Sequence, residues 1–525
     1  MLKKNLQLNE KILVLIILVF SLIINQYYAN RGVFPIESFA HFDIAFRIIN
    51  GDIPFQDYWL VSGLLIDYVQ AFFFKVFGQN FQVYIFHASL INCLLTITTF
   101  YILKNFNLNI YQCFFYSFCF AILGYTTSGT LYVDHHSSLL CLLAVYCLIM
   151  ALKTDKKKFL ILLPVILGLA FLTKSAPSVY VFFSVSLILI LYIFIKKRFN
   201  WLLYLIFSSL SFIIFILLFF DFVNIKLENF FEQYILFPSS IGKNRIAELN
   251  FLSGDIIFDY KFIYISFIPL LLVTLLDVIK SKKNIFNKNF FFFLSFILLI
   301  LSLVIHQINT RNQEFIFFLI PVLCAFSSIF IYNYEIRYKK YFSFFLLLFC
   351  LFVTSKYHLR FNDERRFHEM SKINFDLSVD AKKIDKKLSG LKWITPIFPN
   401  SPEEEVKFLR EIIGVLNAEN SKAMVMSNYS FLSLIIDKNL HSPSRWYIPN
   451  GAAYPIENNK YFDEYKNFLI DLITRKKVSV IYIISPVKVD ELYRYVSKDC
   501  FEEDKTIADV KKLLIKDCSY FKKPI

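Results

Sequence analysis

Residues 60–78 read LVSGLLIDYVQAFFFKVFG. The run is long and apolar enough to suggest a helix through a bilayer, yet it carries Asp67 and Lys75. Whether it crosses decides the topology of everything after it, because one added span moves every later loop to the opposite side. Its surroundings answer the question. Of the 525 residues, 57% are hydrophobic and 18% charged, and the mean hydropathy is +0.53. Such a balance excludes a water-soluble globular chain for most of the length. Apolar stretches close to the roughly 20 residues that a spanning helix needs recur from residue 11 to about residue 355. Spans are expected at 11–28, 83–103, 109–125, 137–152, 158–173, 177–195, 201–220, 260–279, 289–306, 315–333 and 341–355, about eleven in all.

Charge orients them. Lys3, Lys4 and Lys11 precede the first span. Lys104, then Lys153 with Lys156, Lys157 and Lys158, then Lys196, Lys197 and Arg198 fall in alternate loops. So do Lys280, Lys282, Lys283 and Lys288, and finally Arg337, Lys339 and Lys340. With eleven spans every cluster lies on one side, the cytoplasmic side by the positive-inside rule. If 60–78 also crossed, the later clusters would land outside. Residues 60–78 and 39–50 are therefore expected as helices lying in the interface. The same clustering explains the net charge of +15 as membrane anchoring. No basic stripe or motif for nucleic acid accompanies it. The first apolar run has a lysine-containing front end like a signal peptide, but NQYYANRG after it is a poor cleavage site, so a retained span with a cytoplasmic N-terminus is expected.

The opposite side holds the first loop (29–82), GYTTSGTLYVDHH (124–136), the turn TKSAP (173–177), the long loop 221–259, HQINTRNQE (306–314) and everything after about residue 356. These segments carry the carboxylates, histidines and polar aromatics, so chemistry is expected outside. After residue 356 charge rises and apolar runs shorten. LKWITP (391–396), AMVMSN (423–428) and VSVIYIISP (478–486) read as strands. Helices are expected at SPEEEVKFLREIIGVLN, with Ser401 as N-cap and Pro402 at the first position, at YSFLSLIID, and at YFDEYKNFLIDLITRKK. Strands alternating with helices imply a small α/β domain. The expected architecture is thus a helical transmembrane domain, 1–355, followed by an extracytoplasmic α/β domain, 356–525. Seven cysteines lie in or beside spans as small packing residues. Cys500 and Cys518 lie in the tail, where an oxidising compartment permits a disulfide.

The stretch ESFAHFDIAFRIINGDIPFQDYW (37–59) resembles the first extracytoplasmic loop of the GT-C superfamily of membrane glycosyltransferases, which includes the protein O-mannosyltransferases and the aminoarabinose transferases of lipid A. Their pattern places an acidic pair after the first span, then A-x-x-(ILV)-x-x-G-x-x-P-(YF)-x-D-(FYW). Ala45, Gly51, Pro54, Phe55, Asp57 and Tyr58 match it in spacing; Glu37 stands at the first acid and Ser38 where the second often is. GLAFLTKSAP is similar to the Thr-Lys turn of bacterial members. The resemblance implies inverting transfer of a sugar from a polyprenyl phosphate to a glycan, lipid or protein acceptor. Such chemistry needs a carboxylate to take the acceptor proton and cations or a metal to stabilise the departing phosphate.

Glu37, directly outside the first span, is the expected general base, with Asp57 among its aromatics as second catalytic acid or acceptor ligand. Asp43 is spaced to pair with Arg47 along a helix, and Asp52 reads as a solvated turn residue. Lys174, a lone cation on the side that positive charge avoids, is a candidate phosphate contact, with snorkelling as the plainer alternative. Arg311, Lys243 and Arg245 are further phosphate candidates. Asp134, His135 and His136 are candidate acceptor or divalent-metal ligands, although adjacent residues point different ways, and Asp134 could equally cap the next helix. His306 reads as a satisfied boundary residue. No P-loop, dinucleotide-binding glycine pattern, CxxC or HExxH occurs. The rival readings are a transporter or flippase of lipid-linked sugar and a non-catalytic envelope assembly protein.

Overall fold

A computed structural model of the chain describes residues 2–247, 254–280, 286–310, 315–334, 337–504 and 509–518. Helices occupy all eleven stretches read as spans. They begin with α1 (Leu2–Ala29), followed by the short α2 (Pro35–Ser38), α3 (Phe42–Ile49) and α4 (Leu65–Phe77). Then come α5 (Phe81–Asn105), α6 (Ile110–Gly124), α7 (Val133–Thr154), α8 (Lys157–Thr173), α9 (Ser175–Lys196) and α10 (Asn200–Phe222). Among the described residues, eight helices are long and apolar enough to cross a membrane. α4 is not among them. Its 13 residues reach about 20 Å at 1.5 Å per residue, short of a bilayer core of about 30 Å. Gly78 ends it at φ +98°, a backbone state that side-chain-bearing residues avoid.

The chain continues through α11 (Leu227–Phe230), a π-helical turn at Phe231–Leu236, α12 (Phe237–Ala247) and α13 (Gly254–Asp259). Four more apolar helices follow: α14 (Lys261–Lys280), α15 (Lys288–Thr310), α16 (Leu319–Asn333) and α17 (Lys339–Tyr357). Burial grades the apolar helices. The apolar window of α7 is 78% buried by protein and that of α10 only 6%, the difference between the middle of a bundle and a face left to lipid. α6, α8 and α16, at 15, 17 and 15 residues, are the shorter apolar helices.

The structure divides into two compact units. One comprises 1–29, 85–215 and 248–372; the other comprises 30–84, 216–247 and 373–525. The first loop, which the sequence reading assigned to the helical domain, therefore groups with the tail, as does 216–247.

The second unit holds a short antiparallel pair, β1 (Val379–Asp380) with β2 (Lys392–Trp393), and a four-stranded sheet. The sheet is built from β3 (Ala423–Met426), β4 (Val480–Ile484), β5 (Phe501–Asp504) and β6 (Val510–Ile515), in the order β3-β4-β6-β5. β3 and β4 are parallel, with Ala423 opposite Val480; β6 runs antiparallel to both β4 and β5. Every residue of β3 and β4 is buried, as expected of continuous apolar runs in a parallel pair. α18 (Pro402–Ala418) starts with Pro402 at its first position, as expected, although Ser401 makes no side-chain cap. α19 (Leu432–Ile436), α20 (Phe462–Lys476) and α21 (Asp490–Tyr493) complete the tail. Only Lys392–Trp393 of the expected first strand is extended as one, and β5 and β6 were not foreseen. Cys500 and Cys518 form a disulfide, Cα–Cα 5.3 Å. Trp59 of the first loop and Phe237 of α12 belong to the same buried core as Leu469, Ile481 and Leu513. The tail's core is thus completed by residues far upstream.

Candidate active site

In the unit containing the tail, the opening stretch is held from many directions. Pro35 starts the single-turn α2, and Ser38 Oγ accepts the Phe34 N–H at 3.2 Å. Glu37 is half-buried on this turn. Phe39 wedges among Phe42, Phe81 and Phe431, with centroids 4.8–5.5 Å away, which fixes the corner into α3.

Asp43 does not pair with Arg47 as its spacing suggested. Its carboxylate accepts the backbone N–H groups of Ser433 (3.3 Å) and Leu434 (2.8 Å). Burial raises its pKa above the usual value, opposed by those hydrogen bonds and by Arg47. Arg47 is buried and fully used. Nε donates to Asp52 Oδ2 (2.9 Å), Nη2 to the Asp57 carbonyl (3.0 Å) and Nη1 to the Ser442 carbonyl (2.7 Å). Its guanidinium lies 4.8 Å from the centre of the Tyr58 ring. Asp52, expected as a solvated turn residue, is only 4% exposed, and its other oxygen takes Lys476 Nζ at 2.9 Å. Burial pushes its pKa up, but Arg47, with Lys476 and Asn439, outweighs that and holds it at about 2. Burial alone makes a bare carboxylate costly, and the neighbouring Arg47, joined by the distant Lys476, is what reverses the sign.

Asp57 is likewise buried. Oδ1 faces Arg475 Nη1 (2.5 Å) and Lys476 Nζ (3.0 Å), and Oδ2 accepts the Ile53 N–H (2.7 Å). Both oxygens are engaged, so the geometry is that of a tie between the first loop and α20. Phe55, at φ +67°, turns the chain there; its carbonyl accepts from Asn229 (3.1 Å) and Gln233 (2.8 Å). Lys243 is exposed and Arg245 half-buried on α12. A cavity of about 30 Å³ lies beside α3, lined by Asp43, Arg47, Ser427, Ser433 and Arg445 among others.

The other unit holds a second polar cluster. Asp134 sits in the first turn of α7, not at its cap. Lys174 Nζ reaches its oxygens at 2.7 and 2.8 Å, and His306 Nε2 lies 2.7 Å from Oδ1. Asp134 and His306 are buried while Lys174 stays 24% exposed. The lone lysine thus neutralises a buried carboxylate, and the expected boundary histidine is a partner of that carboxylate. His135 Nδ1 lies 3.3 Å from Ser128 Oγ, and His136 Nδ1 2.7 Å from the Tyr125 hydroxyl. The three adjacent side chains therefore face three different groups. Among the described residues, no set of three or more His, Cys, Asp or Glu is placed to hold a metal ion. Arg311 lies outside the described residues.

Sequence reasoning missed Arg365, which is buried and donates from Nη2 to the Ser128 carbonyl (3.0 Å) and lies 2.8 Å from His368 Nδ1. It also passed over His41, Arg445, Arg475 and Lys476, and read Asp67 only for topology. A charged residue inside an apolar run, Asp67, was the one available signal.

Residues 61–219 match the sequence model of the dolichyl-phosphate-mannose-protein mannosyltransferase family, a segment that makes up under a third of the chain. No curated protein matches the chain. The family match supports a GT-C-like glycosyltransferase of the membrane, multi-pass, acting on lipid-linked sugar chemistry. The first-loop motif of the resemblance, Glu37 to Tyr58, lies outside the matched residues, while GLAFLTKSAP lies within them.

Proposed function

We propose that the chain moves a sugar from a polyprenyl-phosphate donor to a glycan, lipid or protein acceptor on the extracytoplasmic face, with inversion at the anomeric carbon. The observation that carries the reading is the family match over 61–219, whose name specifies a mannose on a polyprenyl phosphate.

Topology supports the outer face. A unit that holds no complete span lies on one side of a bilayer, and the second unit, which contains none of the expected spans whole, gathers 30–84, 216–247 and 373–525. Six of the expected spans separate the first two segments and four the last two, so all three fall on the same side. The lysine clusters mark the opposite side as cytoplasmic. The Cys500–Cys518 disulfide also fits an oxidising compartment.

In this reading Glu37 takes the proton of the acceptor hydroxyl as its oxygen bonds to the anomeric carbon. The bond from that carbon to the phosphate oxygen breaks, and the electron pair leaves with the phosphate. Lys243 and Arg245 on α12, in the same unit as Glu37, are the cations offered to that leaving group. Asp57 braces the loop, since both of its oxygens are already held. A divalent ion at Asp134 would have to displace Lys174 or His306. The transporter reading draws no support from Asp134, which stands in the first turn of α7 and not at mid-span.

The test is transfer from a radiolabelled polyprenyl-phosphate-sugar panel by membranes holding the wild type or Glu37→Gln at matched levels. Transfer by the wild type and its loss in the variant is expected. No turnover of any donor by the wild type sinks the enzyme reading, and equal turnover by both moves the base elsewhere.

A further inference from the structure

The opening stretch carries a second constellation that the role of Glu37 does not use. His41 stands at the N-terminal boundary of α3, and its Nδ1 lies 2.6 Å from Asp67 Oδ1. The other oxygen of Asp67 accepts Arg445 Nη2, while Arg445 Nη1 donates to Ser62 Oγ at 2.8 Å. His41, Asp67 and Arg445 are 1%, 0% and 6% exposed, which is tolerable for charges only because they are paired.

The chemistry of the chain of contacts is specific. With the Arg445 guanidinium on one oxygen, Asp67 turns its other oxygen to a proton-bearing nitrogen. That fixes the His41 proton at Nδ1 and leaves the lone pair on Nε2. Burial, then Arg445, lower the His41 pKa against the pull of Asp67, so the ring is neutral at physiological pH. Facing the same group are the phenols of Tyr58, Tyr68 and Tyr84, with Arg47 beyond Tyr58. The His41 N–H also lies 3.3 Å from the Tyr84 hydroxyl.

We propose that Arg445, Asp67 and His41 form a positioning relay by which the tail fixes the Glu37-bearing corner of the first loop, an inference that rests on Glu37 being the base. A helix of one turn cannot hold its own geometry, since forming the first turn is unfavourable in isolation. α2 has four residues. The next polar anchor along the chain is His41, tied through Asp67 to α4 and through Arg445 to a segment 378 residues further on. Misplacing a catalytic group by about 1 Å costs on the order of 100-fold in rate, so a rigid tie here acts on the rate and not on donor affinity.

The experiment uses the full chain in membranes, at matched levels, with the polyprenyl-phosphate-sugar donor that the wild type turns over. Arg445→Met is expected to lower kcat by about 10- to 100-fold with donor KM near that of the wild type, and Arg445→Lys to recover part of it. His41→Leu falls as far. His41→Gln, whose amide still donates to Asp67, restores most of the rate. In Arg445→Met the acid limb of the pH profile moves to higher pH, because the cation that adds to burial in lowering the His41 pKa is gone while Asp67 still raises it. A His41→Gln variant as dead as His41→Leu makes His41 the proton acceptor itself and overturns the positioning role. Wild-type rates and pH profile in Arg445→Met and His41→Leu overturn the relay, while loss in Glu37→Gln leaves the base assignment standing. Full activity in Glu37→Gln overturns both.

Discussion

Asp52→Asn tests whether the ties between the first loop and α20 are energetically real. The substitution keeps the shape and removes the charge that Arg47 Nε and Lys476 Nζ share, both at 2.9 Å. In the fold the Asp52 pKa is held at about 2 against an ordinary 3.8. At about 1.4 kcal/mol per pH unit the depression contributes roughly 2.5 kcal/mol at neutral pH. Asp52 is buried, so little of that is lost to solvent screening. The sign follows from the depressed value. The contribution is complete above pH 4 and disappears as pH falls through about 2.

Local opening of the loop, and not global unfolding, is the process to measure, because two-state bookkeeping fails for a multi-unit membrane chain. The reporters are the amides of Asp52, Ile53 and Asp57, bonded to the Arg47 carbonyl, Asp57 Oδ2 and the Ile53 carbonyl. Hydrogen exchange at pH 7 should be about 60-fold faster at these amides in Asp52→Asn, the factor that corresponds to roughly 2.5 kcal/mol. Protection factors of variant and wild type should converge between pH 4 and pH 2. Equal protection at pH 7, or a gap that persists unchanged at pH 3, would refute the electrostatic account of this loop.

Three further outcomes follow from the same contacts. Lys174→Met leaves buried Asp134 with His306 alone, and should cost about 3–5 kcal/mol, read as a lower yield of intact protein in membranes; adding Asp134→Asn should recover much of it, and a double variant as poor as the single speaks against the pair. Gly129→Ala should destabilise the helical unit by about 1–3 kcal/mol, because φ is +77° and a Cβ there would lie 2.8 Å from Ala29 Cα; an unchanged thermal inactivation temperature counts against that. Glu405, buried beneath Trp393 Nε1, Thr395 Oγ1 and the Tyr429 hydroxyl at 2.9–3.0 Å, has its pKa raised by burial against those donors. A raised carboxyl stabilises at low pH and loses that contribution as pH rises through its folded value, so Glu405→Gln should gain on the wild type at pH 8 and not at pH 4, in hydrogen exchange of β2 and α18.

The helices were legible because their cause is local. A run such as NWLLYLIFSSLSFIIFILLFFDF states both its length and its solvent without reference to anything else in the chain. The strands β3 and β4 were legible for the same reason, whereas β5, FEED, has one buried residue in four and no pattern to find. The charges were misread for the opposite cause. Asp43 was assigned to Arg47 because four residues separate them, but its donors lie 390 and 391 residues away. Asp52 looked solvated because its turn is polar, and only the fold brings Lys476 to it from 424 residues on. Lys174 stood out as a lone cation, but its acid, Asp134, could not be chosen from sequence among several. The grouping of the first loop with the tail is the same limitation at larger scale, since Trp59 gives no sign of which core it will enter.

That grouping has a consequence for how the protein is made. The first loop leaves the ribosome early, and Arg475 and Lys476, which hold Asp57 and join Arg47 on Asp52, are added more than 400 residues later. At about 5–20 residues per second, the interval is on the order of 20 s to over a minute. During it α3 and α4 must stand in or on the membrane with their carboxylates unanswered and Trp59 without its pocket. Biogenesis of this chain therefore contains an enforced wait, and any factor that shields the loop through it would govern yield more than the final stability does.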